Sequence, residues 1–232
     1  MALWIGITEF EAYLVATGLL RNPVGENDPA GFFDLAGLLA SAQSEFERRV
    51  GWRPFLASDA ASDLLLDAEM YPSLDLVSAS GTGAYDITGI NVSGTDFLYG
   101  VQSDGRQANV FGYPQNANAR DFPVTTLRFY PGYYFGAGSW AGKQRVTVTA
   151  RWGRVLLLPP DVKTAVMSYA AGLLLPTLIL ARTGGAQKVR EGDEEIDYGS
   201  GGGGGGLVGS LSAMQMGMFD KAVLRWKRVG LA

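Results

Sequence analysis

The sequence predicts an α+β protein: a helical bundle of about four helices with a β-rich inserted domain and a flexible C-terminal helical arm. Three observations lead there. Helical periodicity occupies both ends of the chain, and the text between them is rich in Gly, Thr, Val, Tyr and Phe with turn signals at roughly 8–12-residue spacing. Six consecutive glycines then precede a last amphipathic stretch. The implied organisation is an N-terminal helical part (residues 1–55), a β-rich insertion (56–155), a helical completion with a polar strand (156–199), and a Gly-rich tether with a docking helix (200–232).

Thr8 followed by Glu11 has capping-box spacing and predicts the start of the first helix. Phe10, Tyr13, Leu14 and Thr17 continue at helical spacing, and Gly18 supplies a stop. Asp28-Pro29 combines an N-cap with a proline at the first helical position and predicts the second helix. Its apolar stripe is Leu35, Leu38, Leu39, Ala42, Phe46 and Val50, with Glu45, Glu47, Arg48 and Arg49 read as solvated and Gly51 as its end.

From about Trp52 to Val155 the turn signals are Ser80-Gly81, Ser93-Gly94, Ser103-Asp104-Gly105 and Pro131-Gly132, which predict about four to seven short antiparallel strands. The cleanest strand is Lys143 to Arg154. Val146, Val148, Ala150 and Trp152 share one face and Arg145, Thr147, Thr149 and Arg151 the other. Val124 to Tyr130 is expected as its hairpin partner. Helical text resumes after Pro159-Pro160-Asp161, with Val162, Val166, Tyr169, Leu173 and Ile179 in register and Pro176 expected to kink or split the helix. Gly184-Gly185 closes it. Lys188 to Tyr198 is read as a polar edge strand. Gly201, Gly202, Gly203, Gly204, Gly205 and Gly206 form a flexible hinge. The last helix is expected from Ser210 to Val229, its apolar side carrying Leu211, Met214, Met218, Ala222 and Trp226.

The 47% hydrophobic and 18% charged content describes an ordered globular chain. Histidine and cysteine are both absent. A Ser-His-Asp triad, a thiolate nucleophile, the usual zinc site and a disulfide framework are therefore excluded. A net charge of −4 gives no basic field to trap nucleic acid. The opening residues lack a basic segment, so no secretory signal is expected. Thr164 to Ala181 is uncharged, at the lower edge of a spanning length, and is read as a buried core helix.

The glycine tract lacks the Lys-Ser or Lys-Thr of a phosphate loop and reads as a tether. The acidic run Glu191, Asp193, Glu194, Glu195, Asp197 lacks the alternation of a calcium loop and reads as a solvated strand. Phe129-Tyr130, Tyr133-Tyr134-Phe135 and Trp140 are read as module core or an inter-subunit patch rather than a sugar platform. Three readings stand for the terminal helix, with its Lys221, Arg225, Trp226, Lys227 and Arg228: a core helix whose cations suit its dipole, a docking element, or a nucleic-acid contact.

The opening Thr8-Glu9-Phe10-Glu11-Ala12-Tyr13-Leu14 and the stretch Glu45-Phe46-Glu47-Arg48-Arg49-Val50-Gly51-Trp52-Arg53-Pro54-Phe55 resemble head-to-tail connector (adaptor) proteins of tailed bacteriophages. Leu158-Pro159-Pro160-Asp161-Val162-Lys163-Thr164-Ala165-Val166 is similar to the start of that family's third helix. Gly184-Gly185, Gly192-Asp193 and Tyr198 resemble the stretch that follows it. The β-rich region and the six glycines depart from the family pattern. The resemblance implies a non-enzymatic structural protein of the virion neck, made in the host cytoplasm, without cofactor, metal or membrane. Its copies would form a ring, a dodecamer in the virion, under the portal protein. The ring would extend the channel through which double-stranded DNA passes without sequence-specific binding, and would dock a stopper, tail-terminator or tail protein. The family's use of its C-terminal segment assigns portal docking to Leu207 to Ala232, with Met214, Met218, Lys221, Arg225, Trp226 and Arg228 as docking residues and the glycines as hinge. Deleting that segment is expected to leave a folded protein that no longer joins the portal. The alternatives are another virion component (terminator, tube or decoration protein), a carbohydrate-binding module or carboxylate hydrolase, for whose paired carboxylates the β-rich region offers only the scattered Asp75, Asp86, Asp96, Asp104 and Asp121, and a membrane-associated protein.

Overall fold

The computed structural model describes residues 3–20, 34–68, 73–100, 109–115, 117, 121–129, 144–183, 188–191, 194–197 and 207–227. The chain divides into two compact units, one built from Met1–Val50 with Pro159–Ala232 and the other from Gly51–Leu158.

The first unit is helical. Helix α1 spans Ile7–Ala16 with Gly6 at its N-cap and no side-chain cap, so Thr8 lies inside the first turn and the expected capping box does not form. Its end follows the sequence. Gly18 adopts φ +74°, donates its N–H to Val15 O at 2.9 Å, and lets the Leu19 N–H reach Leu14 O at 2.9 Å. That double bond is a Schellman ending, and the buried Leu14 and Leu19 supply the apolar pair that usually accompanies it. Helix α2 spans Leu35–Val50. Asp34 caps it, its Oδ1 accepting the Gly37 N–H at 2.8 Å. The expected start at Asp28-Pro29 lies outside the described residues. Leu35, Leu39, Ala42, Phe46 and Val50 are buried as the stripe requires. Glu47, read as solvated, is buried at 3% exposure, one position from the buried Phe46.

The second unit opens with β1 (Ser62–Ala68) and β2 (Ser73–Asp75), followed by the five-residue helix α3 (Leu76–Ser80). Then come β3 (Ala84–Val92), β4 (Thr95–Phe97), β5 (Val110–Tyr113), β6 (Thr126–Phe129) and β7 (Gln144–Trp152). They make a four-stranded antiparallel sheet in the order β1-β7-β3-β4 and a three-stranded one in the order β2-β6-β5. One cluster of buried side chains draws on both sheets, including Leu66, Ile90, Val146, Val148, Leu74, Val110 and Leu127. In β7, Val146, Val148, Ala150 and Trp152 are buried, as its alternation dictates. Segment 124–130 is not its hairpin partner: β6 pairs with β2 and β5, and β7 lies between β1 and β3. Alternation sets which face a strand buries, while partner choice is a non-local matter. Ser93-Gly94 forms the predicted turn, with φ +51° and +90° as a two-residue hairpin loop of primed type requires. Ser103-Asp104-Gly105 and Pro131-Gly132 lie outside the described residues.

The entry and exit of this unit run side by side. Leu56 and Val155 form a parallel bridge, and Arg154 N–H and Val155 N–H both donate to Phe55 O at 2.7 and 3.0 Å. Gly153 makes the approach feasible: a Cβ there would fall 2.3 Å from Ala57 Cα. The Tyr85 hydroxyl lies 2.9 Å from Arg154 O and 3.2 Å from Asp121 O, and burial pushes it up to about 12.

The chain then returns to the helical unit. Helix α4 (Pro160–Thr183) runs through Pro176 without splitting and contacts α1, α2 and the terminal helix. Among the described residues no helix is long and apolar enough to cross a membrane. The single polar strand expected at 188–198 is instead a hairpin of β8 (Lys188–Glu191) and β9 (Glu194–Asp197). Gly184-Gly185 and the glycine tract 201–206 lie outside the described residues. Helix α5 spans Leu207–Trp226, three residues earlier at each end than expected.

Two glycines give opposite expectations. Gly153→Ala forces a methyl into the Ala57 backbone and is expected to lower unfolding free energy by about 1–3 kcal/mol in urea titration. Gly217→Ala, in mid-helix with nothing within 4 Å of the added methyl, is expected to raise it by about 0.5–1 kcal/mol.

Candidate docking surface

The residues singled out for docking all lie on α5, so its packing decides which of them are available. Phe219 is fully buried. Its ring centroid is 5.8 Å from Phe46 of α2 in an edge contact and 4.3 Å from Tyr169 of α4. The chain of rings continues from Phe46 to Trp4 at 6.2 Å. Ala222, Val223 and Gln215 are buried on the same side. Gly172 of α4 lies opposite Gln215, where an added Cβ would come within 3.3 Å of Gln215 Oε1.

Charges hold the helix in register. Asp161, in the first turn of α4, accepts the Trp226 Nε1–H at 3.1 Å and pairs with Arg225 at 3.3 Å. A carboxylate in that position also meets the positive end of the helix dipole. At the end of α2, Arg49 bonds Asp220 of α5 at 2.8 Å and Glu45 at 2.6 Å, and its guanidinium lies 5.4 Å from the Phe219 centroid. Arg48 closes the group with two 2.7 Å bonds to Glu45. Those bonds, first from Arg48 and then from Arg49, bring the Glu45 carboxyl down to about 2 against a partial desolvation that acts the other way. On α1, Glu9 pairs with Lys163 of α4, and the Tyr13 hydroxyl is 2.7 Å from the buried Ser168 hydroxyl.

The expected free arm is therefore corrected. α5 is a packed element of the helical unit, and removing Leu207 to Ala232 would strip Phe46 and Tyr169 of their central ring. The expected apolar stripe holds at the buried Ala222 and the half-buried Trp226, but Met214 is 60% exposed and Met218 half-buried, and the deep anchor is Phe219. Trp226 is half-buried on Asp161, and Lys221 and Arg225 are exposed. Arg228 and the hinge glycines lie outside the described residues. Sequence reasoning also passed over Leu224, 73% exposed, which joins Met214, Lys221 and Arg225 along the outer side of α5. The signal was legible: Phe219, Ala222, Val223 and Trp226 are at core spacing, with the polar Gln215 one turn before them masking the stripe.

Three of the β unit's carboxylates serve local structure. Asp75 caps α3 through the N–H groups of Val77 and Ser78, Asp86 pairs with Arg151 at 3.1 Å, and Asp96 accepts from Asn91 at 2.7 Å. Asp104 lies outside the described residues. Among the described residues there is no group of three or more carboxylates able to hold a metal ion. Of the aromatic cluster only Phe129 is described, and it is core, 4.9 Å from the Phe97 ring.

No protein-family model matches the chain, and no curated protein matches it. Among solved structures it is similar to a chain in the neck of an empty gene transfer agent (GTA) particle (16% identity, TM-score 0.47, covering 100% of this chain and 95% of that one). It is likewise similar to a chain in the virion of a native GTA particle (18%, 0.47, 100% and 95%) and to one in the neck of a native GTA particle (17%, 0.41, 100% and 98%). At these scores the likeness carries no weight for fold or function.

Glu45 sets a pH dependence whose direction follows from its lowered value. Its bonds to Arg48 and Arg49 contribute stability that is complete above the ordinary carboxylate value of about 4.5 and is lost as pH falls toward about 2. Urea titrations of the wild type and Glu45→Gln are expected to differ by a constant amount above that range and to converge below it. Added salt should shrink the difference, since the pair is close to solvent.

Proposed function

We propose that this chain is a structural, non-enzymatic subunit of the neck of a tailed-phage-like virion: a head-to-tail adaptor whose copies form a ring under the portal. The ring extends the DNA channel and docks the stopper or tail. Support for the adaptor reading comes from the resemblance of the chain's segments, in order, to that family. The observation that carries the docking assignment is the outer side of α5. Met214, Lys221, Leu224 and Arg225 expose apolar and cationic groups on a helix whose inner side is locked by Phe219. Exposed Met and Leu beside long cations on a held helix suit a groove in a partner protein. The net charge of −4 suits a channel wall that must not retain phosphate.

The test is co-purification with the portal protein of the same genome, followed by end-on electron imaging. A stoichiometric complex with an added ring below the portal is the expected result. A Met214→Asp/Leu224→Asp double variant, which changes only exposed positions, is expected to keep the wild-type circular dichroism and melting curve while losing at least tenfold in portal affinity. A bare portal beside soluble, folded wild-type protein would overturn the adaptor reading. Undiminished binding by the double variant would overturn the role of α5.

A further inference from the structure

The cations whose surroundings are described are, with one exception, paired or exposed to water. Arg48, Arg49, Arg151, Lys163 and Arg225 each reach a carboxylate. Arg53, Arg128, Lys221 and Lys227 are exposed. Arg154 is neither. It is half-buried, and among the described residues its guanidinium forms no ion pair and no hydrogen bond. It lies instead over the ring of Trp52, 4.9 Å from the centroid, on a residue that is itself only 9% exposed. Burial pushes the guanidinium below its usual value, the mark of a charge that has lost water without gaining a counter-ion.

The backbone that carries this side chain is fixed from both sides. The Arg154 N–H donates to Phe55 O at 2.7 Å, and the Arg154 carbonyl oxygen lies 2.9 Å from the Tyr85 hydroxyl. The same hydroxyl is 3.2 Å from Asp121 O, which brings the Asp121 loop to this seam. The Asp121 side chain is exposed and forms no ion pair with Arg154. Phe122, next in the chain, is 48% exposed, and Leu157, three residues beyond Arg154, is 84% exposed.

We propose that Arg154, laid on Trp52, is the receptor for a carboxylate carried by an acidic segment of a partner protein. A guanidinium stacked through one face keeps its edge N–H groups for a planar two-oxygen acceptor, which is the geometry a carboxylate offers. Pairing returns the interaction that was lost with water, and arginine among aromatic rings is the composition of an interface hot spot. The exposed Phe122 and Leu157 suit apolar side chains flanking the acid. A nucleic-acid phosphate is disfavoured, because one guanidinium in a chain of net charge −4 makes no basic field. The site belongs to the β unit and is independent of the contact assigned to α5.

The test uses the isotope-labelled full chain and a blocked Leu-Glu-Leu tripeptide as probe, read at the Arg154 Nε–H and Trp52 indole resonances. Saturable shifts are expected with this peptide and none with its Leu-Gln-Leu counterpart. Arg154→Lys, which keeps the charge but not the planar fork, should lose about tenfold or more in peptide affinity. Arg154→Met should lose the response altogether while melting no lower than the wild type, because it removes an uncompensated charge and keeps bulk over Trp52. A melting temperature lowered by Arg154→Met would make the arginine a structural clamp and overturn the proposal. Equal shifts from the Gln peptide, or shifts with a DNA duplex and not with the Glu peptide, would overturn it as well. So would a wild type that does not respond; a lower melting temperature of Asp121→Asn would then identify the carboxylate that fills the site within the chain.

Discussion

Phe219 holds the helical unit together, because three helices meet on one ring. Phe46 approaches it from α2, Tyr169 from α4, and the Arg49 guanidinium covers part of what remains. Burying a phenylalanine completely contributes about 1.5–3 kcal/mol from area alone, and edge and tilted ring contacts add to that. The ion pairs around it do a different job. They are mostly exposed and worth little individually, but Arg49–Asp220 and Asp161 with Arg225 and Trp226 select the rotation of α5 that points Phe219 inward. Burial supplies the energy and the charges supply the register.

That division explains an apparent conflict in the sequence. A run of six glycines before a helix suggests an element that swings, yet α5 is locked by its second half. Gln215 sits at the α4 contact, opposite Gly172, with its Oε1 buried and without a hydrogen-bond partner. A buried unsatisfied acceptor costs about 1–3 kcal/mol, which the nearby aromatic packing must offset. The same glutamine interrupts the apolar pattern and shifted the sequence reading toward Met214.

Local chemistry was the legible part of the fold. The Gly18 ending of α1, the Ser93-Gly94 hairpin and the alternation of β7 each depend on a few neighbouring residues with specific backbone or burial requirements. What was misread depends on distant residues. The pairing of β7 with β1 and β3, rather than with 124–130, is settled by the whole cluster shared between two sheets. Glu47 is a charged residue at a position that looks like surface in the sequence and is buried only by the tertiary fold. The capping box failed because Thr8 and Glu11 have the right spacing but the helix begins two residues earlier, after Gly6. For the candidate site the exposed cations of α5 were legible, and so was the core spacing of Phe219, Ala222 and Val223, but a tether and a Met-rich stripe read alike whether or not a partner helix is present.

The β unit shows how a stretch of chain can leave and return without disturbing what lies on either side. Its entry and exit are zipped by the Phe55–Arg154–Val155 bonds, and the close approach at Gly153 excludes any side chain there. Tyr85 fastens the exit strand to the Asp121 loop with a hydroxyl that stays protonated under all ordinary conditions. Arg154 stacks its guanidinium 4.9 Å from the Trp52 centroid, which covers the apolar face of the same seam. Because the closure is made of short-range backbone bonds within residues 52–158, the loops of this unit can vary in length without altering its two ends. A protein built this way can vary the loops of its β unit while its helical unit keeps the packing that Phe219 requires.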